Sequence, residues 1–328
     1  MHGWIILDKP LGLGSTQGVS AVKRALRDGG YGKFKIGHGG TLDPLATGVL
    51  PIAIGEATKL AGRMLDSDKI YDFTIRFGVQ TDTLDGEGVE IARSDIRPTL
   101  AEVEAILPRF TGPIEQVPPA YSALKVDGQR AYDLARAGEE VVLASRSVTI
   151  RSLSPICHPR ESGDPSPDGP AGNDGEELGP RFRGGDTSEG LDDALDSITL
   201  TAHVSKGTYI RSLARDIAHA LGTVGTVTML RRIRAGPFTL ADAISLDKLA
   251  ELGHGRALQE KLLPLRAGLD DIPALSLTPD QAGLLRQGRV LIGIAADDGL
   301  HFATSEDIPV ALVEVLDREV RVVRGFNL

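Results

Sequence analysis

The stretch from Gly37 to Gly48, GHGGTLDPLATG, holds one carboxylate, Asp43, one histidine, His38, and glycines at 37, 39, 40 and 48. A lone carboxylate can cap a helix, attack an electrophilic carbon or take a proton. Asp before Pro is a good helix start, since Asp caps the first turn and Pro44 suits its first position. Pro44 also biases Asp43 toward extended backbone. The flanking glycines remove side-chain bulk and let another backbone come close, which a cap does not need. Spacing leaves cap and catalyst both open, and the two are compatible where a helix start faces a cleft. The loop fails the phosphate-cradling patterns. Gly32-Lys33 is followed by Phe34, with Arg27 where a Walker loop needs Gly, and Leu42 stands where a dinucleotide fingerprint needs Gly. Taken singly, His38 suits a structural histidine, Tyr71 a core residue and Arg211 a solvated charge.

The elements that must position these residues follow from hydrophobic period. YDFTIRF alternates Tyr71, Phe73, Ile75 and Phe77 with polar residues, the pattern of a half-buried strand. In 205–222 the period changes: Ile210, Leu213, Ile217 and Leu221 share a helical face, and Gly222 supplies the stop. Residues 17–26 and 100–110 also read as helices. SVTIRSLSPI, with Val148, Ile150 and Leu153, and SITLTAHVS, with Ile198, Leu200, Ala202 and Val204, read as strands. Between them, 160–196 carries eleven Asp/Glu against three Arg, with eight Gly and four Pro. Such a composition cannot bury enough apolar surface to offset its ordering entropy, so it reads as a disordered insertion at a hairpin turn. From Leu275 onward, VLIGIA, HFAT, PVALVEVL and VRVVRGF suggest a small β-rich domain.

The chain of 328 residues has room for a large domain and a small one. No apolar run reaches the roughly 18 residues of a membrane helix, and the first twenty residues lack a secretory pattern. Cys157 is the single cysteine, so no internal disulfide can form and a reducing cytoplasm is expected. No Cys or His pair has zinc spacing. The net charge of −9 argues at first against a nucleic-acid partner, but −8 of it falls in 160–196. The rest is near neutral and includes basic clusters at Lys23-Arg24, 230–234 and 318–324, which can still form a groove that attracts phosphates.

Read together, GWIILDKPLGLGST (3–16), GHGGTLDPLATGVLPIAIGEATKL (37–60), DSDKIYDFTIRFGVQTDTLDGEG (66–88), FTGPIEQVPPAYSALKVDGQRAYDLARAG (110–138), SKGTYIRSLARDI (205–217) and LRRIRAGPF (230–238) resemble, in order, the motifs of the TruB-type tRNA pseudouridine synthases. The resemblance covers most of 3–238 outside the insertion. It implies an α+β fold with a mixed, largely antiparallel sheet flanked by helices, spanning residues 1–262 with the insertion at about 158–197. Residues 270–328 match only in placement and β character, which suggests a PUA-like RNA-binding domain. The implied reaction converts uridine 55 of the tRNA T-arm loop to pseudouridine by base flipping, N1–C1′ cleavage and C5–C1′ rejoining. No metal, organic cofactor or guide RNA is implied, and a cytoplasmic monomer is expected.

By the same resemblance, Asp43 matches the catalytic aspartate, acting either at C1′ or on a ribose proton. Arg211 matches its paired arginine. Tyr71 matches the tyrosine that stacks on the uracil and takes part in removing the C5 proton. Tyr209 and Leu230 match residues lining the base pocket, and His38 the histidine that contacts RNA where the base has left the stack. Lys9, Lys125 and Arg130 are expected at phosphates. Gly39 departs from the family, which commonly has Thr there. That departure removes a hydroxyl near the RNA and is expected to loosen the loop. Competing readings are an RNA-guided synthase, a tRNA-binding folding factor in which catalysis is secondary, and a carbohydrate hydrolase, for which no second acid near Asp43 is evident.

Overall fold

The computed structural model describes residues 1–328 except 123, 127, 140 and 157–193. Its largest element is a mixed sheet of eleven strands. The main path runs Ala243–Ile244, Gly3–Lys9, Ala46–Ile54, Gly225–Ala235, Lys69–Phe77, Ser197–Val204, Arg146–Pro155 and Gly112–Gln116. Only two contacts on this path are parallel: Gly3–Lys9 with Ala243–Ile244, and Gly225–Ala235 with Ala46–Ile54. The others are antiparallel, so the mixed, largely antiparallel sheet expected from sequence is present.

The strand Lys69–Phe77 forms because β-branched and aromatic residues alternate along it. It lies between Gly225–Ala235 and Ser197–Val204, which pair with it along nearly its whole length. Phe73, Ile75 and Phe77 point into a core closed by the helix Ile210–Ala220, whose buried face carries Ile210, Leu213 and Ile217. Burying each such side chain contributes about 1.5–3 kcal/mol. Gly222 ends the turn beyond that helix at φ 74°, a left-handed conformation that favours glycine. A second core lies under the helices Ser15–Asp28 and Leu246–His254, against Ile5, Leu7, Leu50 and Ile52. Tyr71 and Leu230 pack against both cores, so they sit at the seam between them.

The chain beyond 270 builds a five-stranded sheet from Ala274–Ser276, Leu291–Ile292, Gly299–Ser305, Ile308–Leu316 and Glu319–Gly325. It also holds the helix Pro279–Arg286, whose capping box joins Thr278 and Gln281. That helix is not expected from the β-rich reading, and VLIGIA contributes only a two-residue strand. Phe302, Leu312 and Phe326 share an apolar cluster with Trp4, Phe238 and Leu265 of the main body. Polar latches surround it: Lys59 Nζ donates to the Gly325 carbonyl at 2.8 Å, and the Asn327 N–H donates to Glu56 at 2.8 Å.

The strands on either side of the insertion are antiparallel neighbours, with Pro155 opposite Leu200. The insertion itself and Cys157 lie outside the described residues. Its far boundary is earlier than expected. Ala194 bridges to Thr99, the Leu195 N–H donates to the Pro98 carbonyl, and Asp196 pairs with Arg97 at 3.0 Å. Residues 194–197 therefore belong to the folded body.

Candidate active site

Asp43 does not cap a helix. The Ala46 N–H donates to the Asp43 carbonyl at 3.0 Å, closing a β-turn through Pro44 and Leu45 that leads into the strand Ala46–Ile54. The segment 9–15 grips this turn on both sides of Asp43. Ser15 Oγ accepts from the Leu42 N–H at 2.8 Å and donates to the Leu42 carbonyl at 2.9 Å. The Gly12 N–H and Lys9 Nζ both donate to the Pro44 carbonyl, at 2.9 and 3.2 Å. From the opposite strand, the buried Arg232 guanidinium donates to the carbonyls of Val49, Thr41 and Gly40.

Two glycines of the loop, Gly39 and Gly48, make room for this protein rather than for a ligand. Gly48 has φ +99°, and a Cβ there would lie 2.2 Å from the Arg232 carbonyl oxygen. A Cβ on Gly39 would lie 2.6 Å from Met64 Cβ, so the glycine at this departure from the family pattern is fixed by packing. Gly37 alone of the four has open space on its Cβ side.

Arg211, 7% exposed, is the hub of the site. Its Nη2 donates to Asp43 Oδ2 at 2.8 Å and to the Tyr121 carbonyl at 3.0 Å. Its Nη1 donates to the Thr83 carbonyl at 2.9 Å and lies 3.1 Å from Asp85 Oδ2. Asp85 is a second carboxylate beside Asp43. It is buried, and it also accepts from Thr83 Oγ1 at 2.6 Å and from the Glu87 N–H at 3.1 Å. Asp85 is thus committed to holding Arg211, whereas the Asp43 side chain remains 44% exposed. Oδ1 of Asp43 has no hydrogen-bond partner among the described residues.

A cavity of about 850 Å³ opens at this point. Asp43, Tyr71, Tyr209, Arg211 and Leu230 all line it, so five of the residues singled out from sequence come together. In register, Leu230 lies opposite Ala46 on one side and Phe73 on the other, and Tyr71 lies opposite Arg232. The pairing of three central strands therefore sets the spacing between Asp43 and Tyr71.

Lys9 and His38 do not line this cavity. Lys9 was expected at a phosphate, but it is fully buried and its Nζ donates to the carbonyls of Pro10, Leu13 and Pro44. Burial pushes its pKa down to about 8, partly opposed by the nearby Asp43. It positions the Asp43 turn. His38 ends the short strand Ile36–His38 just before the loop, and its Nδ1 is enclosed without a partner among the described residues. Burial, then the Arg232 charge, lowers its pKa. Lys125 and Arg130 face each other in a two-stranded ladder, and the Lys125 side chain lies outside what is described. Asp85, Arg232, Ser15 and Gln116 are site residues that motif reading passed over. Gln116, 1% exposed, exchanges two hydrogen bonds with the Tyr209 backbone. No helix among the described residues is long and apolar enough to cross a membrane.

Comparison with known proteins decides the family. The model described as TruB family pseudouridylate synthase (N terminal domain) matches residues 27–162, and that of the tRNA pseudouridylate synthase B C-terminal domain matches 211–270. A tRNA pseudouridine synthase B of Novosphingobium aromaticivorans is 60% identical over 328 residues, which is 100% of this chain and 98% of that protein. The chain belongs to the TruB family of pseudouridylate synthases. A second TruB-family relative, from Zymomonas mobilis and also named tRNA pseudouridine synthase B, is 55% identical over 100% of this chain and 96% of its own length. Among solved structures, a Cbf5-Nop10-Gar1 complex matches with TM-score 0.67 at 22% identity, covering 99% of this chain and 85% of that one. An H/ACA RNP bound to a substrate RNA containing 2'-deoxyuridine matches with TM-score 0.66 at 20% identity, with the same coverage. These two likenesses show that the chain shares its fold with the matched chains of those complexes.

Proposed function

We propose that the chain is a tRNA pseudouridine synthase that isomerises uridine 55 of the T-arm loop. The observation that carries this reading is the geometry around Asp43. Arg211 holds one carboxylate oxygen, the other has no partner among the described residues, and Tyr71 lines the same cavity. The base must leave the stack to reach that cavity. The N1–C1′ bond then breaks, the uracil turns, and C5 bonds to C1′ with loss of the C5 proton. Asp43 acts as an ionised carboxylate either at C1′ or on a ribose proton. The charge-assisted bond from Arg211 orients it for either role. Tyr71 stacks on the uracil and takes part in removing the C5 proton, Tyr209 and Leu230 flank the base, and His38 meets RNA near the vacated position. The isomerisation is redox-neutral and consumes no co-reactant.

Residues 1–262 carry this chemistry, and 270–328 act as a PUA-like RNA-binding domain. The high identity to proteins named tRNA pseudouridine synthase B supports action on tRNA; that a cytoplasmic monomer acts on free tRNA without a guide RNA is part of the same proposal. Tritium release from a C5-tritiated T-arm stem-loop tests the reading. The wild type is expected to release tritium unaided. Asp43→Asn is expected to lose turnover and keep most RNA affinity. Normal turnover by that variant, or activity only on addition of a guide RNA, overturns it.

A further inference from the structure

Tyr209 is held from two directions by two residues that face each other across adjacent strands. Arg146 pairs in register with Gln116. Gln116 fixes the Tyr209 backbone: its Nε2 donates to the carbonyl at 3.1 Å and its Oε1 accepts from the N–H at 2.8 Å. Arg146 covers the Tyr209 ring, with its Cζ 4.7 Å from the centroid. Gln116 is satisfied by this arrangement and Arg146 is not. Nε and Nη2 of Arg146 are enclosed and have no hydrogen-bond partner among the described residues. Among the described residues no carboxylate lies within ion-pair distance of it.

The buried cations around the site, by contrast, are engaged. Arg211 serves two carboxylates, and Arg232, Lys9 and Lys69 each serve three carbonyls. Enclosed donors without acceptors are costly, and a guanidinium without a counter-charge more so. Arg146 nevertheless lines the cavity that holds Asp43 and Tyr71. Gly207 leaves room beside it, since even a Cβ at that position would lie 3.7 Å from Nη1.

We propose that Arg146 receives a phosphodiester oxygen of the bound RNA, next to the nucleotide whose base enters the cavity, with its guanidinium plane set by the Tyr209 ring. A planar fork stacked on an aromatic ring suits a phosphate better than a point charge does. This inference rests on RNA being the ligand, and it adds a backbone contact to a cavity otherwise built around the base and sugar.

The test is filter binding of the full chain to a T-arm stem-loop across a salt series, with tritium release measured in parallel. Arg146→Met keeps the aliphatic stem and removes the charge. It is expected to weaken binding about tenfold at low salt and to reduce the slope of log K against log salt by about 0.7–0.9, one phosphate contact. Arg146→Gln keeps a planar donor over Tyr209 and is expected to lose the same slope; it decides alone where Arg146→Met does not fold. A wild-type affinity and slope overturn the proposal. So does a fall in kcat with binding unchanged, which would mean that Arg146 only props Tyr209. A wild type that releases no tritium from the same RNA would instead overturn the reading of function, so the two failures are distinguishable.

Discussion

Arg211 divides its N–H donors between two carboxylates and two carbonyls, and only a planar fork can do so. An ammonium at the same place carries the charge but cannot reach Asp43 while also meeting Asp85, Thr83 and Tyr121. Arg211→Lys is therefore expected to lower kcat/KM about 100-fold, or about 2.7 kcal/mol of transition-state stabilisation. RNA affinity is expected to stay within a few-fold, because Arg211 faces Asp43 rather than a phosphate. Single-turnover tritium release beside filter binding checks this. Wild-type turnover would show that Asp43 needs no such orientation. Asp85 also changes the standing of the hydrolase reading: a second carboxylate is present, but it is buried and engaged by Arg211, Thr83 and the Glu87 N–H, so it is not free to face a glycosidic oxygen.

The segment 9–15 and the turn at 42–45 form one unit, and Lys9 is its pin. Lys9→Met orphans three carbonyls and is expected to destabilise the fold by about 3 kcal/mol, at about 1 kcal/mol per lost bond. The pH dependence has a definite sign. Burial lowers the folded-state pKa of Lys9 to about 8 from an ordinary 10.5. Between those values the unfolded chain binds more protons than the folded one, so the contribution of Lys9 to stability rises with pH. The advantage of wild type over Lys9→Met is expected to widen from pH 8 to 10 by up to about 1.4 kcal/mol per unit, read from denaturant melts. An advantage that narrows would refute the burial effect. This unit also marks what the sequence could and could not disclose. Local periods disclosed the strand Lys69–Phe77 and the helix Ile210–Ala220. They could not decide the role of Asp43, because Asp-Pro suits a β-turn as well as a helix start, and the deciding partners, Ser15 and Arg232, are remote in sequence. Lys9 was misplaced because lysine is rarely buried. The helix Pro279–Arg286 carried a capping box and an N-terminal proline, signals masked by the β-rich runs around it.

Charge and architecture meet at the acidic insertion. A chain of net charge −9 binds RNA only if its negative charge stands apart from the cavity, and 160–193 holds ten Asp/Glu against three Arg. Deleting 160–193 removes seven of the nine net negative charges and none of the described residues. This variant is expected to melt near the wild type and keep its turnover. Its RNA affinity is expected to be higher at low salt, with the gain vanishing near 1 M, where the Debye length falls to about 3 Å. Extending the deletion to Asp196 is a different matter. It removes the Leu195 side chain packed on the core, the Arg97–Asp196 pair, and the backbone bonds from Leu195 to Pro98 and from Phe77 to Asp196. That loss amounts to about 3 kcal/mol, from one apolar side chain and two hydrogen bonds. The melting temperature of the longer deletion is expected to fall by roughly 6–12 °C at about 2–4 °C per kcal/mol. Equal melting of the two deletions would place 194–196 outside the folded body. A shorter deletion that loses activity would show instead that the insertion takes part in holding the RNA.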